Sequence, residues 1–316
     1  MTRPHPSADA LRAAAFGMTA EIPDESSSPA ALTDRRPTRV SSLSPIASLD
    51  FRSTTGSTND DAKAWIDRTD DEGSLAASLP RLHVAAEQTH GRGRTGRRWF
   101  ADHHTLTFSL VLAADHTHPL GVLSVAVGVA IADAVQAHTD GKQVQLKWPN
   151  DVWLDERKLA GVLIERTRRS DSPWIIGIGI NIGAVPMASF SPHADQPSAG
   201  EPRPTAASPP TMAAWLPSGS GSRSQWLERL IPSVLRHSDA TRTDPSQIVR
   251  EFDRQCILRG NSIRFERDRV VQRGTCLGVG PDGGLRVSVS GQQQTLYSGE
   301  VCRVRPDVSV TRPSNR

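Results

Sequence analysis

The residues best suited to chemistry lie between Gln88 and Phe100, where four arginines and three glycines occur with no carboxylate among them. Glycine tolerates positive φ and lets a backbone come close to a ligand. Arginine forks match phosphate and carboxylate oxygens two at a time. With Arg92, Gly93 and Arg94 at its centre and Trp99 and Phe100 at its end, the stretch reads as an anion clamp that can close. A solvated basic loop, or an RNA-binding tail, has a similar composition, but such a tail repeats and this one does not.

Three further stretches carry polar groups in places where chemistry is possible. Ser57-Thr-Asn stands just before an apolar-periodic run, as helix-capping residues do; the same side chains, with the helix N-terminus, can also face a polar ligand. Lys147-Trp-Pro-Asn-Asp and Lys158-Leu-Ala-Gly gather two lysines, Asn150 and Asp151 around one turn. Trp-Ile-Ile-Gly-Ile-Gly-Ile-Asn-Ile, residues 174–182, places Gly177 and Gly179 on one face of a strand, with Asn181 following on that face. A smooth glycine face accepts either a flat ligand or a closely packed helix. A buried Asn181 needs hydrogen-bond partners.

These groups must be held by regular elements. Weak alternation predicts a strand over 47–52 and a helix over 62–66. Residues 82–87 and 105–113 predict two strands that bracket the arginine loop, and Leu120–His138 predicts a buried helix. Residues 144–148, 152–154 and 159–165 form a hairpin pattern broken at Pro149, which has no N–H for a ladder. Residues 224–235 and 245–256 read as amphipathic helices. Beyond Leu258, short apolar runs at 263–265, 270–271, 274–279, 285–289, 294–297 and 301–304 alternate with turn signals, which suggests a small SH3-like barrel.

The totals narrow the class. A chain of 316 residues holds one large domain and a small one. A net charge of +3 is too modest for a protein that binds nucleic acid over a whole face. Cys256, Cys276 and Cys302 are odd in number and form no CxxC pair, so neither a zinc site nor a disulfide framework is expected and a reducing cytoplasm fits. No apolar run is long enough to span a bilayer, and no signal-peptide pattern is expected. Residues 1–45 are poor in apolar periodicity and are expected to be disordered, with at most a helical turn or two at 10–18. Residues 184–222 form a Pro/Ser-rich insertion whose strongly apolar pair is Trp215 and Leu216.

Gly56-Ser-Thr-Asn, Gln88 with Gly91-Arg-Gly-Arg-Thr-Gly-Arg-Arg-Trp, Lys147-Trp-Pro-Asn-Asp with Lys158-Leu-Ala-Gly, and Gly177-Ile-Gly-Ile-Asn occur in the order in which the biotin–protein ligase family carries them. The chain resembles that family from about Ser48 to Arg305. The resemblance implies an α+β fold: a catalytic domain with a mixed sheet, like class II aminoacyl-tRNA synthetases, over 46–256, then an SH3-like barrel over 257–306 and a tail over 307–316. It implies activation of biotin by ATP, with Mg2+, to biotinyl-5′-adenylate, followed by transfer to a lysine of the biotin carboxyl carrier protein.

Carried over, the resemblance makes Lys158 and Arg94 catalytic. Ser57, Thr58, Asn59, Gln88, Arg92, Gly93, Gly161, Gly177 and Gly179 become the biotin pocket, together with Arg94 and Lys158. Arg92, Arg94, Trp99, Asn150, Lys158, Asn181 and Trp215 become adenylate contacts. Some members add an N-terminal DNA-binding domain; the absence of a paired-helix pattern in 1–45 predicts the type without it. A lipoate or octanoyl ligase of the same fold, or a biotin-responsive repressor, are the alternatives, and homodimerisation is left open.

Overall fold

The computed structural model describes residues 45–102, 104–114, 119–169, 172–183, 214–217, 219–267, 270–297 and 301–303. The expectations for 1–44, for most of the insertion and for the tail lie outside the described residues.

Seven strands form one mixed sheet in the order β1-β2-β3-β7-β6-β5-β4. They are β1 (Ser48–Thr55), β2 (Arg81–Gln88), β3 (Thr105–Leu112), β4 (Val144–Lys147), β5 (Asp151–Leu154), β6 (Arg157–Glu165) and β7 (Trp174–Asn181). Strand β1 runs parallel to β2 and the remaining neighbours are antiparallel. Five helices accompany them: α1 (Thr58–Arg68), α2 (Glu72–Ala77), α3 (Leu120–Gln136), α4 (Arg223–Thr243) and α5 (Pro245–Gln255).

The period of two in β3 and β7 decides what each face of the sheet meets. Leu106, Phe108 and Leu110 of β3, with Ile176, Ile178 and Ile180 of β7, join the main core with α3, α4 and α5. Helix α3 is buried nearly all round, as its uniformly apolar sequence requires. The opposite face carries Thr107, Ser109, Gly177 and Gly179, and beside it α1 and α2 pack Ala62, Ile66 and Leu75 against Val111 and Ile175. One face therefore carries the main core, and on the other a smaller apolar cluster adjoins a stretch left for polar groups.

The C-terminal strands β8 (Ser262–Arg267), β9 (Val270–Val279), β10 (Leu285–Val289), β11 (Gln292–Leu296) and β12 (Val301–Arg303) form an antiparallel sheet ordered β11-β10-β9-β8-β12. The expected strand runs are present, with 270–271 and 274–279 fused into one strand. Closure is not: β11 and β12 stand at opposite edges, and the described residues form no closed barrel. This sheet is tied to the main body at Trp148, whose indole Nε1 donates to the Gly283 carbonyl at 2.9 Å. Asp253 of α5 accepts from the Val279 amide at 2.7 Å. Cys256 and Cys276 are free and buried, and burial pushes the Cys276 thiol up to about 12, so both serve as packing residues. No helix among the described residues is long and apolar enough to cross a membrane.

A buried imidazole joins α3 to α4. His237 contacts the Ser233 carbonyl through Nδ1 at 2.8 Å and the Asp133 carboxylate through Nε2 at 3.1 Å. An ionised carboxylate and a carbonyl both accept, so the arrangement favours the doubly protonated ring. The hydrogen bond to Asp133 raises its pKa above the ordinary histidine value, against an opposing effect of burial and a smaller one from Arg236. A raised pKa gives stability that is complete below about 6.5 and lost as pH rises through the folded value. Thermal unfolding of the unaltered chain is therefore expected to fall more steeply between pH 6 and 8.5 than that of His237→Gln; equal slopes would show that His237 is neutral.

Candidate active site

Helix α1 begins at the site with an unusual cap. Ser57 occupies the N-cap position, but its hydroxyl makes no capping hydrogen bond. The orphan amide of Thr58 donates instead to Gln88 Oε1 at 2.8 Å. Gln88 at the end of β2 thus caps the helix from a distant part of the chain. The capping reading of Ser57 gives way to one in which its hydroxyl is left for other use.

From there a polar chain runs along the glycine face. Fully buried Ser109 lies 2.7 Å from Thr58 Oγ1 and 2.6 Å from Asn59 Oδ1. Since the amide oxygen only accepts, Ser109 donates to Asn59 and accepts from Thr58. Asn59 Nδ2 donates to Glu165 Oε2 at 2.7 Å, and Glu165 Oε1 accepts from Lys63 Nζ at 2.6 Å. Asn59 is thereby fixed over Gly177, where a Cβ would come within 3.0 Å of its Cγ and Nδ2. Glycine at 177 is required by that close approach.

The arginine loop folds as a small irregular hairpin. Gly93 N donates to the Arg97 carbonyl at 2.7 Å, and Trp99 N to the Gly91 carbonyl at 2.8 Å. Between them Arg94–Gly96 makes one tight turn, with Thr95 and Gly96 both at positive φ. The loop's end carries Trp99 across the sheet. Its indole lies against Gly179, where a Cβ would meet Cζ2 and Nε1 at 2.6 Å, and near Gly161. The indole Nε1 is buried with no partner.

Lys158 is paired with a carboxylate. Lys158 Nζ sits 2.7 Å from Asp151 Oδ1 and 5.6 Å from the centre of the Trp99 ring. A Cβ on Gly161 would approach Lys158 Cε and Nζ to 3.1 Å, so this glycine gives the lysine room to lie over the sheet. Burial holds the Arg94 guanidinium below the ordinary arginine value, and the field of Asp151 opposes that. Lys158 thus meets its carboxylate beside the glycine face, and Arg94 stands within the field of the same group.

Arg92 departs from the expected convergence. Its guanidinium pairs with Asp60 on α1 and reaches to 3.7 Å from Glu165. That contact raises its pKa further and lowers that of Asp60. Asn150 and Asn181 are placed near Lys158, but each spends its amide on the backbone: Asn150 Nδ2 donates to the Val162 carbonyl at 2.6 Å, and Asn181 Nδ2 to the Ala214 carbonyl at 2.9 Å. Trp215 stacks edge-on against His104, with ring centres 6.4 Å apart. A cavity of about 550 Å3 lined by Lys63, Asp67, Arg166, Thr167, Arg168 and Arg169 includes none of the residues expected at the site.

Ser109, Asp151 and Glu165 were not among the expected site residues. Ser109 was legible in principle, since Thr105, Thr107 and Ser109 alternate with Leu106, Phe108 and Leu110. Asp151 stood in the hairpin cluster without a role. Glu165 meets Asn59 across 106 positions of sequence, and no local pattern announces that.

Residues 62–181 match the sequence model of the biotin/lipoate A/B protein ligase family. The chain is 27% identical over 268 residues to the biotin--[acetyl-CoA-carboxylase] ligase of Mycobacterium tuberculosis, covering 81% of this chain and 89% of that protein. It is 35% identical over 103 residues to the bifunctional ligase/repressor BirA of Escherichia coli, covering 31% of this chain. The chain spans about a third of the length of BirA, 32%. The fold is similar to that of the Aquifex aeolicus biotin protein ligase solved with biotin and ATP, at a TM-score of 0.63 and 22% identity, over 81% of this chain and 99% of that one.

Proposed function

We propose that the chain activates biotin with ATP to biotinyl-5′-adenylate and transfers the biotinyl group to a lysine of the biotin carboxyl carrier protein of acetyl-CoA carboxylase. The observation that carries this reading is that the Lys158 ammonium lies 2.7 Å from Asp151 beside a face kept smooth by Gly161, Gly177 and Gly179. Both reactants of the first step are anions, so preorganised cations at the point of attack offset their repulsion and the charge that develops on the phosphoryl oxygens. The rest is positioning, because the adenylate is not covalently held by the protein.

In this reading Gln88, with Oε1 turned to α1, presents its amide donors to biotin, and Ser57 adds its hydroxyl. The Ser109–Asn59–Glu165 chain holds the wall of the pocket. Trp99 covers Gly179 before ligand enters and gives way to it. Arg92 and Gly93 close over biotin, while Asn150, Asn181 and Trp215 border the nucleotide. Mg2+ would accompany ATP and would draw its ligands mainly from phosphate and water oxygens. The C-terminal sheet stands where an SH3-like barrel follows the catalytic domain, and a reducing cytoplasm suits the free cysteines.

Gly177→Ala tests the pocket wall. Asn59 is bonded on both sides and cannot retreat, so overpacking is expected to cost about 1–3 kcal/mol of stability. Biotin affinity should fall by about tenfold or more, the scale of a lost, well-placed hydrogen bond to a charged network. Calorimetry and thermal unfolding read the two effects separately.

The function itself is tested by calorimetry with biotin, then ATP, then a carrier domain, followed by detection of label on the carrier. Biotin incorporation that needs all three is the expected result. Incorporation of lipoate with none of biotin would overturn it.

A further inference from the structure

We propose that Arg223 is a positioning residue that locks the arginine loop to the segment returning from the 184–213 stretch, so that the two covers of the site move as one. Arg223 is the first residue of α4, behind the Ser222 cap and its reciprocal bond with Gln225. A cation there opposes the helix dipole. Its side chain turns away from the helix and is spent entirely on backbone oxygens: Nε donates to the Thr105 carbonyl at 3.0 Å, and one terminal nitrogen donates to Ala86 at 2.9 Å and Asp102 at 2.7 Å. Burial lowers its pKa, and the nearby acids Asp102 and Glu87 oppose the shift.

The three carbonyls are not scattered. Ala86 lies just before Gln88, and Asp102 just after Ala101, whose carbonyl accepts from the Gln88 amide at 3.1 Å. Thr105 opens the strand that carries Thr107 and Ser109. One guanidinium therefore closes the throat of the whole 88–101 loop. The other end of the lock is the chain that leads into Arg223. Ala214 N donates to the Lys158 carbonyl at 2.8 Å, Leu216 N to Asn181 at 3.3 Å, and Trp215 lies against His104. The loop that bears Arg94 and the segment seated on Lys158 are thus joined through a residue that touches neither.

The inference rests on the site being the ligand pocket proposed above, and its test separates the two. The full chain and its Arg223→Met and Arg223→Lys variants are compared by tryptic cleavage of the native protein at Arg92–Arg98 without ligand, and by KM and kcat for biotin. Arg223→Met is expected to speed cleavage in the loop and to raise KM by about tenfold, the scale of one charge-assisted hydrogen bond, while kcat changes by less than about threefold. Arg223→Lys, which keeps the charge and part of the bonding, should fall between. Should the methionine variant fail to fold, the lysine variant carries the comparison alone. Unchanged loop cleavage and KM, or cleavage that rises evenly along the chain, would overturn the lock. If the unaltered chain binds no biotin, the proposed function fails, whereas ligand-free cleavage of the loop still decides the role of Arg223.

Discussion

Lys158→Ala is expected to slow pyrophosphate release in a single turnover by about 10²–10³-fold, the range found when one preorganised stabiliser of developing charge is removed. Biotin affinity should change much less. The ammonium sits 2.7 Å from Asp151, so in the resting site its charge is already matched, and removing it leaves the ground state with a carboxylate that water can solvate. Its value emerges when negative charge moves onto the reacting phosphate, and interactions that strengthen only then act on kcat. Lys158→Arg should rescue poorly. Lysine is a compact charge on a flexible stem, and Gly161 leaves space for that stem at 3.1 Å; a planar guanidinium does not fit the same path. Equal rates of pyrophosphate release in the alanine variant and the unaltered chain would remove Lys158 from the chemistry.

How much of this was legible in the sequence depended on the distance over which each feature is decided. The strands of the main sheet and helix α3 were readable because period two and an unbroken apolar run are local. Helix α2 was not expected; at six residues, it is too short to show a helical period. Gly177 and Gly179 could be read as a smooth face, but not which groups lie on it. Asn59 on one and Trp99 on the other are consequences of how α1 and the arginine loop cross the sheet. The same limit explains Arg92. Composition alone makes it equivalent to Arg94, yet α1 offers Asp60 to Arg92, while Arg94 feels only the field of Asp151, which is paired with Lys158. Strand content predicted the C-terminal sheet, while closure depends on pairing between its edge strands β11 and β12 and was not decided by pattern.

Two electrostatic layers follow from that division of arginines. Arg92 is half exposed and paired with a half-exposed carboxylate, a kind of contact that contributes about 0.2–1 kcal/mol and weakens with salt. It holds the loop's near end to α1 without committing much energy, which suits a segment that must open. Arg94 is more deeply placed and lacks a carboxylate bonded to it directly. Its charge is under-compensated until an anion arrives.

Arg94→Ala should therefore act on the anionic intermediate more than on biotin. A charge-assisted hydrogen bond contributes about 1.5–3 kcal/mol, so affinity for biotinyl-5′-adenylate is expected to fall by about 10–150-fold. The intermediate would then leave before a carrier lysine reaches it. Free adenylate should accumulate in the medium, and biotin consumed should exceed biotin transferred. Arg92→Ala, losing only its half-exposed pair with Asp60, should raise free adenylate far less. Rapid filtration of a reaction containing labelled biotin and ATP, with and without the carrier, reads the escaped fraction directly. If Arg94→Ala releases no more adenylate than the unaltered chain and binds it equally well, the guanidinium does not face the intermediate, and the burial of its charge beside Asp151 serves only the shape of the loop.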